Sequence, residues 1–125
     1  MAIDMENKKT ERMGKNLAKR SPMMAIVIWE TWLKEGTEVE GLLITRQIWS
    51  DMQQVDGYVS HQLLVDQDAA NHLLLISRWR TREEADRSRD EYARTEAGSK
   101  TVPRLKPLLA RERSRWVFTE DTAPK

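Results

Sequence analysis

The 125-residue sequence contains no cysteine. That excludes disulfides, thiolate metal sites and cysteine nucleophiles together, and it suits a reducing compartment, so a cytoplasmic location is expected. Glycine is scarce: the five, at 14, 36, 41, 57 and 98, are too scattered to form a phosphate-cradling loop. A G-x-S-x-G elbow and a serine-triad pattern are missing too, so nucleotide-binding and serine-hydrolase readings fall away. Neither sign of charge dominates. Twenty-one basic residues against 20 acidic give a formal net charge of +1, a balance that does not favour nucleic acid as a partner. The longest apolar run, Met23 to Trp29, is far below the roughly 20 residues of a membrane helix, and the first residues lack the apolar stretch of a signal peptide. A soluble protein without a membrane partner is expected.

What the sequence does have is tryptophan: five, at 29, 32, 49, 79 and 116, beside two tyrosines and one phenylalanine. The length suits one domain with tails. Residues 1–22 are polar and charged and cannot bury enough apolar area to fold alone, so they read as an N-terminal extension ending at Pro22. Residues 23–120 form the expected domain, and 121–125 a polar tail.

Within the domain, "MMAIVIWETWL" (23–33) is apolar on both alternating sets, as in a strand covered on two faces. Thr37 stands three before Glu40, a capping box that opens a helix bearing the stripe Ile44, Ile48, Met52 and Val55, stopped by Asp56-Gly57. Two strand-like runs, 58–66 and 71–79, flank "QDAA" and read as an antiparallel hairpin. Thr81 and Glu84 repeat the capping box and predict a second helix to about Ala97, ended by Gly98. Pro103 and Pro107 limit the next stretch to a short helix or turns. A last strand is expected within 110–120. The order βαββαβ implies an α+β, ferredoxin-like fold: a four-stranded antiparallel sheet with helices on one face. Its other face, apolar in the first strand, then needs a cover, and a second copy of the sheet is the simplest.

Side chains that could carry chemistry are few. In the expected hairpin Val65 lies roughly opposite His72, which leaves His61 four residues or ~13 Å away, too far for shared ligation; no metal site is expected. Glu30 in an apolar central strand calls for a partner, and Arg113 or Arg115 on the last strand are candidates. The basic set Arg104, Lys106, Arg111, Arg113 and Arg115 reads mainly as solvated or ion-paired. The inward positions of the second helix, Ala85, Ser88 or Arg89, Tyr92 and Ala93, are small or polar and leave room over the sheet. Trp79, Tyr92, Trp29 and Trp49 either line that room or simply fill it.

"WLKEGTEVE", "DGYVSHQLLVDQD" and above all "HLLLISRWRTREEAD" carry a family likeness. From about Met24 to Glu120 the chain resembles the antibiotic biosynthesis monooxygenase superfamily of dimeric α/β barrels. The resemblance implies a homodimer packed sheet on sheet, a ligand cavity between sheet and helices, and, as in some members, oxygenation of aromatic phenols without metal or flavin. Trp79 matches the tryptophan that these relatives carry at the end of the third strand. Two departures stand beside it: Ser88 occupies the place of a histidine found in many relatives, and Trp29-Glu30 that of the asparagine of haem-degrading ones, which counts against haem degradation.

Two functions are implied by that resemblance. One is a cofactor-independent monooxygenase oxidising a small aromatic, quinol or polyketide-like, with molecular oxygen. There Trp79 and Tyr92 would position the ring, Trp29, Trp49 and Ser88 would complete the substrate pocket, Glu30 or His61 would be the base, and Arg78 would stabilise the anion. The other is a non-catalytic dimeric protein of the same fold that binds a small apolar molecule.

Overall fold

The β-branched and aromatic run Ala25–Trp32 forms strand β1 in the computed structural model, which describes residues 24–121. The expected extension, 1–22, and all but the first residue of the expected tail lie outside that range. Strand β1 is central: it pairs antiparallel with β3 (Ala69–Trp79) and β4 (Ser114–Phe118), and β2 (Tyr58–Asp66) pairs antiparallel with β3, giving the order β2-β3-β1-β4. Helices α1 (Glu38–Met52), α2 (Arg82–Arg94) and α3 (Glu96–Leu105) complete an α+β, ferredoxin-like arrangement.

Register assigns the two faces of the sheet. Val27 stands between Ser77 and Val117, and Trp29 between Leu75 and Arg115, with their side chains toward the helices. Ile44, Ile48, Trp49 and Met52 of α1 meet Val27, Leu33, Leu73 and Leu75 there to form the core. Burying each such side chain contributes roughly 1.5–3 kcal/mol before the entropy cost of ordering it. The opposite face carries Ile26, Ile28, Leu74 and Ile76, with Leu64, Trp116 and Phe118 43, 45 and 50% exposed. This second apolar face, inferred from the alternation in β1, has no cover within the described residues.

The local signals hold unevenly. The hairpin turn is Gln67-Asp68, with the Asp66 carboxylate accepting the Asp68 N–H at 2.8 Å. Val65 faces Leu73 rather than His72, and His61 faces Ser77, so the two histidines are still further apart along the sheet than the expected register implied. Thr37 does not cap α1: its hydroxyl donates to the Lys34 carbonyl, while the Glu38 carboxylate, one residue into the helix, accepts from the Gly36 N–H. Thr81 does cap α2, accepting the Glu84 N–H at 3.1 Å. The Glu84 carboxylate reaches back to accept the Thr81 hydroxyl at 3.3 Å and also pairs with Arg80.

The long second helix is divided. Thr95 turns extended, accepts the Gly98 N–H at 2.9 Å and starts α3. Gly98 therefore ends no helix. It is buried inside α3, where a Cβ would lie 1.9 Å from the Tyr92 carbonyl oxygen, so only glycine permits the close approach of the two helices. Pro103 sits within α3 and is followed by a single 3-10 turn, Lys106–Leu108. The last strand is shorter than 110–120, because Leu109 and Ala110 instead bridge to the end of β1 through Leu33 and the Trp32 carbonyl.

Candidate functional site

Helix α2 turns Ala85, Ser88 and Tyr92 toward the sheet. The first two are too small to fill the gap, and a cavity of about 240 Å³ remains beneath them. Its floor is Val27, Trp29, Ser77 and Trp79 from β1 and β3; Ile48, Trp49 and Met52 of α1, Val102 and Leu105 of α3, and Arg113 and Arg115 on and beside β4 close its sides. By comparison, a cavity of about 150 Å³ holds benzene. The space suits one or two fused rings.

Trp79 is fixed on every side. It is 1% exposed. Its ring meets Trp49 and Tyr58 edge-on at 6.4 and 5.9 Å, and its Nε1–H donates to Ser77 Oγ at 2.9 Å. With that donor occupied, Trp79 offers a guest only its ring. Ser88 donates its hydroxyl to the Ala85 carbonyl at 2.8 Å, as helix serines do. Tyr92 donates to Asp51 Oδ2 at 2.8 Å. Burial, with the Asp51 contact, raises its phenol to about 12, so it stays protonated at neutral pH.

The structure brings Trp29, Trp49, Trp79, Ser88 and Tyr92 to one cavity. It places the three ionisable candidates elsewhere. Glu30 pairs with Leu74 and Ser114, and Arg78 with Ile26 and Ser60, which puts both on the far face of the sheet. His61 lines a separate hollow with Arg46, Ser50 and Gln53, and Trp49 is the wall between the two spaces. Burial lowers the pKa of His61, and its Nδ1 is 2.5 Å from the Tyr58 hydroxyl.

Glu30 does have a partner, though not an arginine. Because Ser114 is its neighbour on β4, Arg113 and Arg115 alternate onto the helix side, and Glu30 instead meets His72 Nε2 at 2.7 Å. The other ring nitrogen of His72 meets Asp66 at 2.8 Å, and the ring stacks on Trp32 at 3.8 Å. Among the described residues no group of three or more His, Cys, Asp or Glu is arranged to hold a metal ion.

The arginines, read from the sequence mainly as solvated or ion-paired, divide. Arg115 pairs with Asp86 at 2.9 Å, and Asp86 also holds Arg82. Although burial works against it, those two guanidiniums keep the Asp86 carboxyl below its usual range. Arg113 has no acidic partner among the described residues and lies 4.7 Å over the Trp29 ring, joined there by Arg89 at 5.8 Å and Arg115 at 5.7 Å. The signal that finds them is parity: Arg113 and Arg115 share the alternating set of Val117, and Arg89 stands four after Ala85 and three before Tyr92.

Residues 24–97, more than half of the chain, match the family model described as antibiotic biosynthesis monooxygenase. The chain belongs to this family. Solved structures repeat the fold. SnoaB, a cofactor-independent oxygenase from Streptomyces nogalater, is 16% identical with a TM-score of 0.64, the match covering 82% of this chain and 99% of that one. Rv0793 from Mycobacterium tuberculosis is 18% identical, with a TM-score of 0.66 and coverage of 82% and 99%. PA3566 from Pseudomonas aeruginosa is 14% identical, with a TM-score of 0.69 and coverage of 82% and 98%. At such identities the likeness is one of fold. No curated protein matches the chain in sequence. Arg113 and Arg115 fall outside the residues that the family model matches.

Proposed function

We propose that this family member is a cofactor-independent monooxygenase of a small aromatic phenol or quinol. The observation that carries the reading is the cavity of about 240 Å³ walled by Trp29, Trp49, Trp79 and Tyr92. Flat rings around a partly enclosed space suit a flat guest and shield an electron-rich anion from much of the surrounding water.

A naphthol illustrates the balance of the reaction. Its anion supplies electrons to molecular oxygen, a bond forms between ring carbon and oxygen, and the resulting hydroperoxide takes up a proton. Loss of the proton on that carbon, with cleavage of the O–O bond, leaves a carbonyl and releases water. One naphthol and one molecule of oxygen give one naphthoquinone and one water, with no external reductant. In this reading Trp79 and Trp49 hold the ring plane, and Tyr92, protonated and with its one hydroxyl hydrogen committed to Asp51, adds a fixed ring and is not a base.

The second reading, a binding protein without turnover, draws support from the lack, among the described residues, of an untied base deep in the cavity: Asp86 is held by two arginines and His61 lies behind Trp49. Oxygen uptake with a panel of hydroxylated naphthalenes, naphthacenes and quinols separates the two. Uptake that depends on substrate and falls at least about tenfold in Trp79→Phe supports the oxygenase. Binding without uptake across the panel supports the second.

We also propose that a second copy of this chain covers the open sheet face. Ile26, Ile28, Leu74, Ile76, Trp116 and Phe118 form a contiguous apolar surface there, of the kind that marks an interface. No helix among the described residues is long and apolar enough to cross a membrane.

A further inference from the structure

Charge gathers at one end of the cavity. Arg89, Arg113 and Arg115 bring their guanidinium carbons to 5.8, 4.7 and 5.7 Å from the centre of the Trp29 ring. Only Arg115 has a carboxylate there, and that carboxylate is shared with Arg82. Arg89 and Arg113 make no ion pair among the described residues, and the remaining acid in the lining, Asp90, is exposed and makes none either.

Arg113 is part-buried, and both burial and the nearby charge of Arg89 work against its positive form. The guanidinium nevertheless keeps its proton at any physiological pH. Holding two like charges together over one ring, one of them partly stripped of water, costs stability that Trp29 offsets only in part. An oxyanion completes such a site, because the planar guanidinium fork matches two carboxylate oxygens or one phenolate. The ring end is apolar and the arginine end is cationic, so a ligand with the same division fits both.

We propose that Arg113 and Arg89 form an anion-receiving mouth and that the cavity takes a mono- or bicyclic aromatic monoanion. Its ring lies among Trp49, Trp79 and Tyr92, and its carboxylate or phenolate oxygen meets the two guanidiniums beside Trp29. This deepens the oxygenase reading and rests on it for the site. It also supplies what the cavity lacks, since a phenol ionises more readily beside two fixed positive charges and needs no strong base. The stabilising role read onto Arg78 from the sequence passes to Arg113, which is on the correct side of the sheet.

Binding measured by calorimetry at neutral pH, on the full chain, tests the mouth without turnover. The probes are 2-naphthoate, a carboxylate; 2-naphthol, neutral at that pH; and 4-nitrophenol, whose phenolate is coloured. The wild type is expected to bind 2-naphthoate at least about tenfold tighter than 2-naphthol. Arg113→Gln should lose most of that preference while 2-naphthol affinity stays within about twofold, and Arg113→Lys should keep part of it. Arg89→Gln, at an exposed helix position, gives a second test should Arg113→Gln not fold. Bound 4-nitrophenol that ionises below its ordinary pKa in the wild type, and not in Arg113→Gln, assigns the mouth to phenolates; naphthoate preference without that shift assigns it to carboxylates. Equal affinity for naphthoate and naphthol, binding of neither, or an equal loss of both in Arg113→Gln overturns the proposal. An intact anion preference with no oxygen uptake from any substrate leaves the mouth standing and sinks the oxygenase reading alone.

Discussion

Trp79 does two jobs with one ring. It lines the cavity, and its T-shaped contacts with Trp49 and Tyr58, together with the bond to Ser77, tie β2, β3 and α1 together. Replacing it with phenylalanine removes the N–H donor and leaves unfilled volume, so Trp79→Phe should lose about 1–3 kcal/mol of stability by urea denaturation. A loss below about 0.5 kcal/mol would mean that the ring is not locked as described. On the far face, His72 is a different kind of single-residue device. Hydrogen bonds donated to the Asp66 carboxylate first, and to Glu30, hold its pKa above the ordinary value against the effect of burial, and the same contact lowers that of Asp66. Because folded His72 binds its proton more tightly than the unfolded chain, its contribution is complete below about pH 6.5 and is lost as pH rises through the folded value. Asp66 acts at the other end: its contribution is present above the ordinary carboxylate range and is lost as pH falls through its depressed value. Arg111, 4.8 Å over the Trp32 ring on which His72 stacks, adds an opposing positive charge nearby. Thermal scans from pH 6 to pH 8 should therefore show Tm falling with pH, and His72→Gln should flatten that slope; an equal slope in both proteins would contradict the triad's role.

At the scale of elements, the division between α2 and α3 shapes the cavity's upper wall. Gly98→Ala puts a methyl group 1.9 Å from the Tyr92 carbonyl and must push α3 away from α2. A destabilisation of about 1–3 kcal/mol is expected, together with weaker binding of aromatic probes because Val102 and Leu105 move with α3. Unchanged Tm and unchanged affinity would show that the junction yields freely. The sequence misleads at this junction because a glycine after a helical run most often marks an end, whereas here Thr95 supplies the break and Gly98 the close approach. It is informative where periodicity decides. Alternation in β1 and β3 and the three- and four-residue spacing in α2 place Trp29, Trp79, Ser88 and Tyr92 on facing surfaces, so their convergence is legible. Cross-strand register is not a local property, and the Glu30–His72 pair, 42 positions apart in the chain, cannot be read from either segment alone. Arg113 is misjudged from the sequence for a related reason: its charge is weighed along the strand, without the parity that turns it inward.

For the whole molecule, the sheet is a wall between two unlike environments: a small cavity on the helix side and a broad apolar face on the other. If a second copy covers that face, light scattering at micromolar concentration gives twice the 14.6 kDa chain mass, and Ile28→Lys, at the centre of the surface, shifts the protein toward the single chain. A wild-type mass of one chain would contradict that assembly. The proposed function belongs to the other side of the wall, where a family match, an aromatic-lined cavity and two arginines with no acidic partner among the described residues coincide. Oxygen chemistry in that space is open to one decisive measurement, with isotopically labelled molecular oxygen and a hydroxynaphthoate. The wild type should form a quinone carrying one labelled oxygen atom, with the other in water, while Ala85→Phe, which fills the cavity from α2, should form none. A quinone that carries no oxygen from the labelled gas, or equal product with Ala85→Phe, would contradict it.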